Sequence, residues 1–412
     1  MKVVVIGAGP AGAMAAITAG SEGAEVTLIE RNEKIGRKLY ISGKGRCNVT
    51  NSADFREFTE NIVNNPKFLF GALKAFSNAD TEEFFTSRGV PLKTERGGRI
   101  FPVSDRASDI VDALYFELKR RGVKLKTSVK ALNFVVKDGK IVALKTTSGL
   151  EEADRFILCT GGKSYPGTGS DGSGYALAAA VGHKIVEPKA ALSAFEVTEV
   201  GTPFGSFKAA DCSLPVGVSL KNIELTAVYD GKSRSEFGEA LFTEDGISGP
   251  VALTLSSYCN RAENIRLILD FKPALDEKTL DGRLQRELVS NRQLKNMLPA
   301  LLPQSVAAWF VRLIPFSEKA CNSVTREERK KLLEMLKRIE FSAVLKPIEE
   351  AIVTSGGVET REINPKTMQS KLLPNLYFAG EVIDVDALTG GFNIQIALST
   401  GYCAGKHASE SK

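Results

Sequence analysis

Gly7, Gly9 and Gly12, with an acid at Glu30, are the residues whose types and spacing carry the most definite chemistry in this chain. In a Gly-x-Gly-x-x-Gly turn the first glycine permits a tight exit from a strand. The second leaves no side chain between the backbone and a pyrophosphate, and the third lets a helix lie close on a sheet. Pro10 and Ala11 open that helix, whose unpaired N–H groups and positive end suit phosphates. Glu30 is placed to accept hydrogen bonds from a ribose diol. This is the chemistry of a dinucleotide site.

The elements that must position these residues are legible too. Lys2-Val3-Val4-Val5-Ile6 reads as a buried strand, residues 13–20 as a small-residue helix, and Glu25-Val26-Thr27-Leu28-Ile29 as a second strand that ends at the acid. The uncharged run from 3 to 21 would also suit a secretion signal. Three glycines and Pro10 within six residues break such a helix, however, and no polar cleavage region follows. Farther on, the pattern predicts an amphipathic helix over 107–121 started by Ser104-Asp105, a strand over 123–127 and a hairpin at Asp138-Gly139. Asp154–Cys159 is a buried strand running into Thr160-Gly161-Gly162, and a helix near 173–182 ends at Gly182-His183. Short β-type segments dominate from about 191 to 271, and 276–340 is helical and basic. Strand signals return at 350–353 and 375–379, and a last helix runs from Asn393 to about Gly405. The economical reading is an α/β chain: a Rossmann-type domain over 1–190 and 346–412, interrupted by an insert over 191–345. The insert divides into a β-rich part, 191–272, and a helical part, 273–345.

Composition narrows the class. With 43% hydrophobic and 25% charged residues the chain suits a globular protein with ample core, and no apolar stretch is long enough to span a bilayer. Six scattered cysteines lack paired metal spacing, which fits a reduced, cytoplasmic protein without a disulfide framework or metal site. Only two histidines, His183 and His407, argue against a His-based triad. His183 reads as a helix C-cap and dipole partner, and His407 as part of a frayed tail. The net charge of +5 is uneven: residues 283–346 hold thirteen Lys/Arg against six Asp/Glu. That excess is either a solvated helical face or a surface that meets a polyanion.

Two further glycine clusters need sorting. Gly167-Thr168-Gly169-Ser170-Asp171-Gly172 is a second literal fingerprint, but Lys163-Ser164-Tyr165-Pro166 separates it from its strand and no acid-terminated strand follows, so a second dinucleotide domain is rejected. The C-terminal cluster is more informative. A strand runs into Gly380-Glu381, then come Asp384, Asp386 and Gly390-Gly391-Phe392-Asn393-Ile394 at a helix start. A helix N-terminus aimed at the pyrimidine end of a flavin stabilises negative charge on the reduced ring. Glu381 would hold the ribityl or phosphate region. Taken with the N-terminal fingerprint, the cluster points to FAD.

These residues resemble the glutathione-reductase-like superfamily of FAD proteins. More narrowly, Ser42-Gly43-Lys44-Gly45-Arg46-Cys47-Asn48, Gly98–Pro102, Gly246–Pro250 and Thr354–Gly401 are similar to the YhiN/BaiN-type flavoproteins, which include aminoacetone oxidase. The resemblance implies a FAD domain, an inserted β-rich domain and a helical subdomain within that insert. Activities proposed for the family are amine oxidation, reduction of conjugated steroid ketones and dihydrouridine formation in ribosomal RNA. The family often has His after Phe-Thr where this chain has Thr243-Glu244-Asp245, and Gly-Asp-Gly-Tyr where it has Gly172-Ser173-Gly174-Tyr175.

The expected cofactor shell adds Arg31, Lys38, Gly43, Gly45, Arg46, Cys47, Asn48, Val129, Thr160, Gly161 and Gly162 to the residues above. Lys44 and Arg46 either make Cys47 electropositive or bind phosphate or the flavin edge; Cys47 itself reads as packed or flavin-contacting. Tyr165, Lys163, Arg99 and Glu244 are the catalytic candidates. The chemistry expected is hydride transfer through flavin N5 to a conjugated C=C bond, fed by NAD(P)H that docks transiently. An oxygen-using amine oxidase, a ribosomal RNA dihydrouridine synthase and a non-catalytic flavin protein are the alternatives. The substrate is a small molecule or, if the basic insert docks RNA, a uracil-like base.

Overall fold

A computed structural model describes residues 1–410, which form two compact units: Met1–Lys189 with the chain from Ile348 onward, and Ala190–Pro347. The first unit is built on five parallel strands. Strand β1 (Lys2–Ile6) is central, with β2 (Glu25–Ile29) and then Lys124–Lys126 on one side. Arg155–Leu158 and then Leu376–Phe378 lie on the other. Both faces of such a sheet are covered, which is why β1 is a continuous run of buried Val and Ile. The order reverses at β1, so its C-terminal end opens into the crevice where doubly wound sheets bind ligands.

Helix α1 (Pro10–Ser21) starts with proline in its first turn and is buried from Ala11 to Ala19. Only small residues fit there, because the helix Phe392–Ser409 presses on it backbone to backbone. A methyl group added at Gly401 or Gly405 would lie 2.3 Å from the carbonyl oxygen of Ala11 or Ala15. That helix runs past the Gly405 expected from sequence. His407 is held inside it, Nδ1 lying 2.9 Å from Cys403 O, and its carbonyl accepts from the Tyr377 hydroxyl, so the frayed-tail reading is wrong.

His183 also differs from expectation. Its backbone N–H closes the helix Ser173–Ala180 by bonding to Ala178 O. The buried ring instead bridges Glu362 at 3.0 Å and Ser370 at 2.9 Å, edge-on to Phe378. Burial pulls its pKa down against the opposing pull of Glu362.

In the second unit, Phe195–Thr202 pairs with both Gly246–Ser248 and Ile339–Leu345, closing an antiparallel sheet into a barrel. Ile339–Leu345 corrects the reading of 273–345 as wholly helical. Its alternating Ile, Phe and Ala face inward, a period of two that the preceding basic helices mask in the sequence. The helices Glu277–Glu287, Gln304–Leu313 and Arg326–Lys337 occupy the connection before it. Most of the basic excess of 283–346 is engaged within the unit. Arg329 pairs with Asp281, Arg338 with Glu277, Lys337 with Asp270, Lys319 with Glu328, and Lys346 with Asp245.

Candidate functional site

The expected cofactor residues converge at the C-terminal edge of the parallel sheet. Gly7 leaves β1 with φ +97°, and an added methyl would lie 2.5 Å from Cys159 O. Gly12 faces the Gly7 carbonyl so closely that a methyl would lie 1.8 Å from its oxygen. Gly9 differs from both: its φ is −74° and nothing lies within 4 Å of where a methyl would stand. No packing or torsional demand requires glycine there. The space it keeps open, at a helix N-terminus with no side-chain cap, fits a pyrophosphate.

At the end of β2, Glu30 is buried and already oriented. One carboxylate oxygen accepts from Ala8 N at 2.8 Å, the other from the Asn32 backbone and side-chain amides at 2.8 and 2.7 Å. Ionised oxygens retain lone pairs for a ribose diol. Val129 N donates to Glu30 O, fixing the neighbouring strand end. Arg31 pairs with Asp171 and reaches Gly169 O, while Asn32 donates to Thr168 O. The second glycine cluster is thus a loop clamped onto the first fingerprint. Burial raises the Asp171 pKa, but hydrogen bonds from Arg31 and Ser173 outweigh it and hold the group at about 2.

Two more strand ends complete the edge. Gly161 and Gly162 lie against Ser170, Thr354 and Glu381; a methyl on Gly162 would stand 2.4 Å from Thr354 Oγ1. Gly380 adopts φ +77° against Ala11 and donates its N–H to Thr400 Oγ1. Glu381 accepts from Thr354 N at 2.8 Å, from Lys38 Nζ at 3.0 Å and from Ser164 Oγ at 3.3 Å. Lys38 also donates to Ser164 at 2.7 Å. Lys38 and Glu381 therefore form one ion pair that ties the short helix Arg37–Ile41, after β2, to the turn that follows the strand Leu376–Phe378.

The remaining wall is the Ser42–Asn48 loop and the start of the Phe392 helix. Gly43, Lys44, Gly45 and Cys47 all have positive φ, which folds the loop back on itself. Gly391, at φ +97°, has Thr50 O 2.3 Å and Asn48 Oδ1 2.9 Å from an added methyl. Asn48 Oδ1 is shut off from solvent and has no hydrogen-bond partner among the described residues. An orphaned acceptor of this kind costs about 1–3 kcal/mol unless a ligand N–H meets it. It stands beside an 18-residue helix whose N-terminus has no side-chain cap. The uncapped helix start, the open Gly9 cradle and the orphaned amide oxygen together fit FAD, whose ring carries an N–H.

Several expected contacts are otherwise engaged. Arg46 is taken up by Glu95 at 2.8 Å and lies 4.1 Å over the Phe101 ring. Cys47 is fully buried, and burial pushes its thiol up to about 12, so it is a packed residue and not a nucleophile. Asp386 is buried and accepts from Asn64 at 2.6 Å, joining two short strands. Asn393 braces the loop before its helix through Ala387 and Leu388, and Ile394 is half-buried against the core. Gly390 O accepts from Asn51. Among the catalytic candidates, Lys163 is exposed and pairs with Glu349, Arg99 lies at the surface near Glu95, Glu244 is exposed in the second unit, and Tyr165 is half-buried at φ +54°.

Sequence reasoning missed Asn32, Ser164 and Thr354, which hold the two carboxylates. Asn32, two residues after the acid, carried the only readable signal, because short amides favour such local bonds.

A family model described as the HI0933-like protein Rossmann domain matches residues 1–407. The chain is 32% identical to a 3-dehydro-bile acid delta(4,6)-reductase of Clostridium scindens, covering 99% of each chain. It is 30% identical to a ribosomal RNA dihydrouridine synthase of Haemophilus influenzae, covering 97% of each. Among solved structures, a 3-ketosteroid-delta4-(5alpha)-dehydrogenase from Rhodococcus jostii superposes with TM-score 0.50 at 16% identity, covering 99% of this chain and 96% of that one.

Proposed function

This chain belongs to the HI0933-like Rossmann-domain family, and from that premise we propose an FAD-dependent oxidoreductase that saturates a C=C bond conjugated to a carbonyl. The observation that carries the cofactor is the unexplained openness at Gly9 together with the orphaned Asn48 oxygen. What supports the reaction is the chemistry shared by the two relatives' names. A delta(4,6)-reductase of a 3-dehydro compound and a dihydrouridine synthase both reduce a C=C bond conjugated to C=O. FAD, when bound, supplies hydride exchange at N5.

The chain's own residues bind and orient. The α1 N-terminus and Gly9 receive the pyrophosphate, and Glu30, pre-aligned by Asn32, holds a ribose. Lys38 and Glu381, paired with each other, would brace the wall that holds the ribityl region. The Gly391 helix start and Asn48 meet the ring, one with partial positive charge and the other with an acceptor. NAD(P)H is the electron donor we favour, and a small-molecule enone the substrate. Six free, buried thiols support a reducing compartment, so the cytoplasm is the setting proposed. Among the described residues no helix is long and apolar enough to cross a membrane.

A uracil-like RNA base is the second reading, favoured by the dihydrouridine synthase relatives. The engagement of the insert's basic residues in internal ion pairs weighs against it. Anaerobic mixing of the flavin-loaded protein with NADPH, then with a conjugated steroid enone, tests the proposal. Rapid bleaching followed by enone-driven reoxidation, with product two mass units heavier, is expected. Bleaching by amines alone would sink it.

A further inference from the structure

Beside Asn48 and Gly391 the structure gathers an excess of positive charge. Two loops contribute. The Ser42–Asn48 loop carries Lys44 and Arg46; the hairpin Leu92–Glu95/Arg99–Pro102 and its flank carry Lys93, Arg96 and Arg99. Against these five cations stand two acids, Glu95 and Asp105. Arg46 bonds Glu95 at 2.8 Å, Lys93 bonds Asp105 at 2.6 Å, and Arg99 lies 3.7 Å from Glu95. Lys44 and Arg96 are exposed, and among the described residues neither is in an ion pair.

Both are carried to the flavin-end wall by rigid contacts. The hairpin is strand-paired to Thr50–Asn51, directly after Asn48. Asn51 Nδ2 then donates to Gly97 O at 3.0 Å and to Gly390 O at 2.9 Å, clasping the Arg96–Gly98 turn to the helix start. The Arg46–Glu95 pair fastens the Lys44 loop to the same hairpin. Lys44 itself is held at φ +58°, a conformation unusual for a residue with a side chain. Next to it Tyr40 and Ile41 expose 37% and 48% of their surface.

Resting on the enone-reductase reading, we propose that Lys44 and Arg96 form an anion subsite at the rim of the flavin end. It recognises a carboxylate or phosphate on the molecule that meets the ring, while Tyr40 and Ile41 cover that molecule's apolar body. The anion has two sources, an acidic tail on the enone or the phosphates of the dinucleotide donor. The chemistry is shared, since an unpaired ammonium and a planar guanidinium suit either oxyanion.

The test is equilibrium binding to the oxidised, FAD-loaded protein, followed through the flavin visible band. The probes are a 3-dehydro-bile acid enone with a free carboxylate, its methyl ester, and NADP+. The double variant K44A/R96A is expected to weaken binding of the free acid or of NADP+ roughly tenfold, as for two partly exposed charge-assisted contacts. K44R/R96K is expected to restore it. Weakening of the acid assigns the subsite to the substrate, and weakening of NADP+ assigns it to the donor. The proposal is overturned if wild type binds neither anion, if the double variant binds both as tightly as wild type, or if the ester weakens in step with the acid. Enone reduction is scored separately by product mass, so a failed reductase reading is distinguishable from a failed subsite.

Discussion

Replacing Gly9 by alanine separates ligand chemistry from folding. At Gly7 and Gly12 a methyl group collides with backbone oxygens at 2.5 and 1.8 Å, so glycine there is demanded by the fold itself. At Gly9 a methyl meets nothing within 4 Å, and the backbone angles are open to alanine. The fold should therefore tolerate Gly9→Ala. Loss of a preferred N-cap residue and the lower freedom of the unfolded chain act in opposite directions, leaving apoprotein stability within about 1 kcal/mol of wild type. FAD binding should respond very differently. The methyl occupies the approach of the pyrophosphate, and relieving that overlap costs about 1–3 kcal/mol. Withdrawal of a helix N–H from a charged oxygen removes a further ~1.5 kcal/mol or more. The combined loss of about 2.5–4.5 kcal/mol weakens FAD roughly 60- to 2,000-fold. Urea denaturation of the apoproteins and FAD titration by fluorescence quenching measure the two halves. Gly12→Ala serves as the contrast, with apoprotein stability reduced by about 1–3 kcal/mol. Wild-type FAD affinity in Gly9→Ala, or an apoprotein as damaged as that of Gly12→Ala, refutes the reasoning.

Lys38→Met leaves the partly buried Glu381 carboxylate with neutral donors only, and should cost about 1–2 kcal/mol once solvent screening is allowed for. Adding Glu381→Gln should recover part of that in urea melts, whereas additive losses would contradict the pairing. Glu117 is buried among Arg120, Arg121 and Arg88; burial raises its pKa, but those hydrogen bonds outweigh it and bring it to about 2. A depressed carboxylate stabilises the fold above its unfolded pKa. Glu117→Gln should thus lose up to about 3 kcal/mol at pH 7. The gap from wild type should close as pH falls from about 4.5 toward about 2, and a pH-independent gap would count against the ion cluster. Cys47, pushed up to about 12 by burial, should take no iodoacetamide label in the native protein at pH 8 and label fully in urea. Native labelling would show it to be an accessible thiol.

The nucleotide fingerprint was legible in the sequence because its chemistry is local. A strand, a turn, a helix start and an acid lie within the first thirty residues, and each acts through backbone geometry that glycine spacing encodes. The same holds for the Asp138-Gly139 hairpin and the strand that runs into Gly161. Tertiary structure alone decided which of the polar residues remain available. Arg46 and Cys47 sit in one short loop, yet a hairpin fifty residues away claims the first as an ion pair, and burial silences the second. The charge excess over 283–346 left a solvated face and a polyanion surface both open, because a linear count does not show which cations Asp270, Asp281 and Glu277 pair with. Ile339–Leu345 has a period-two pattern of its own, but the strands that pair with it on either side, Phe195–Thr202 and Ile265–Asp270, lie far away in the chain. Local backbone demands are written residue by residue, whereas pairing and burial depend on partners distant in the chain, and folding selects those partners.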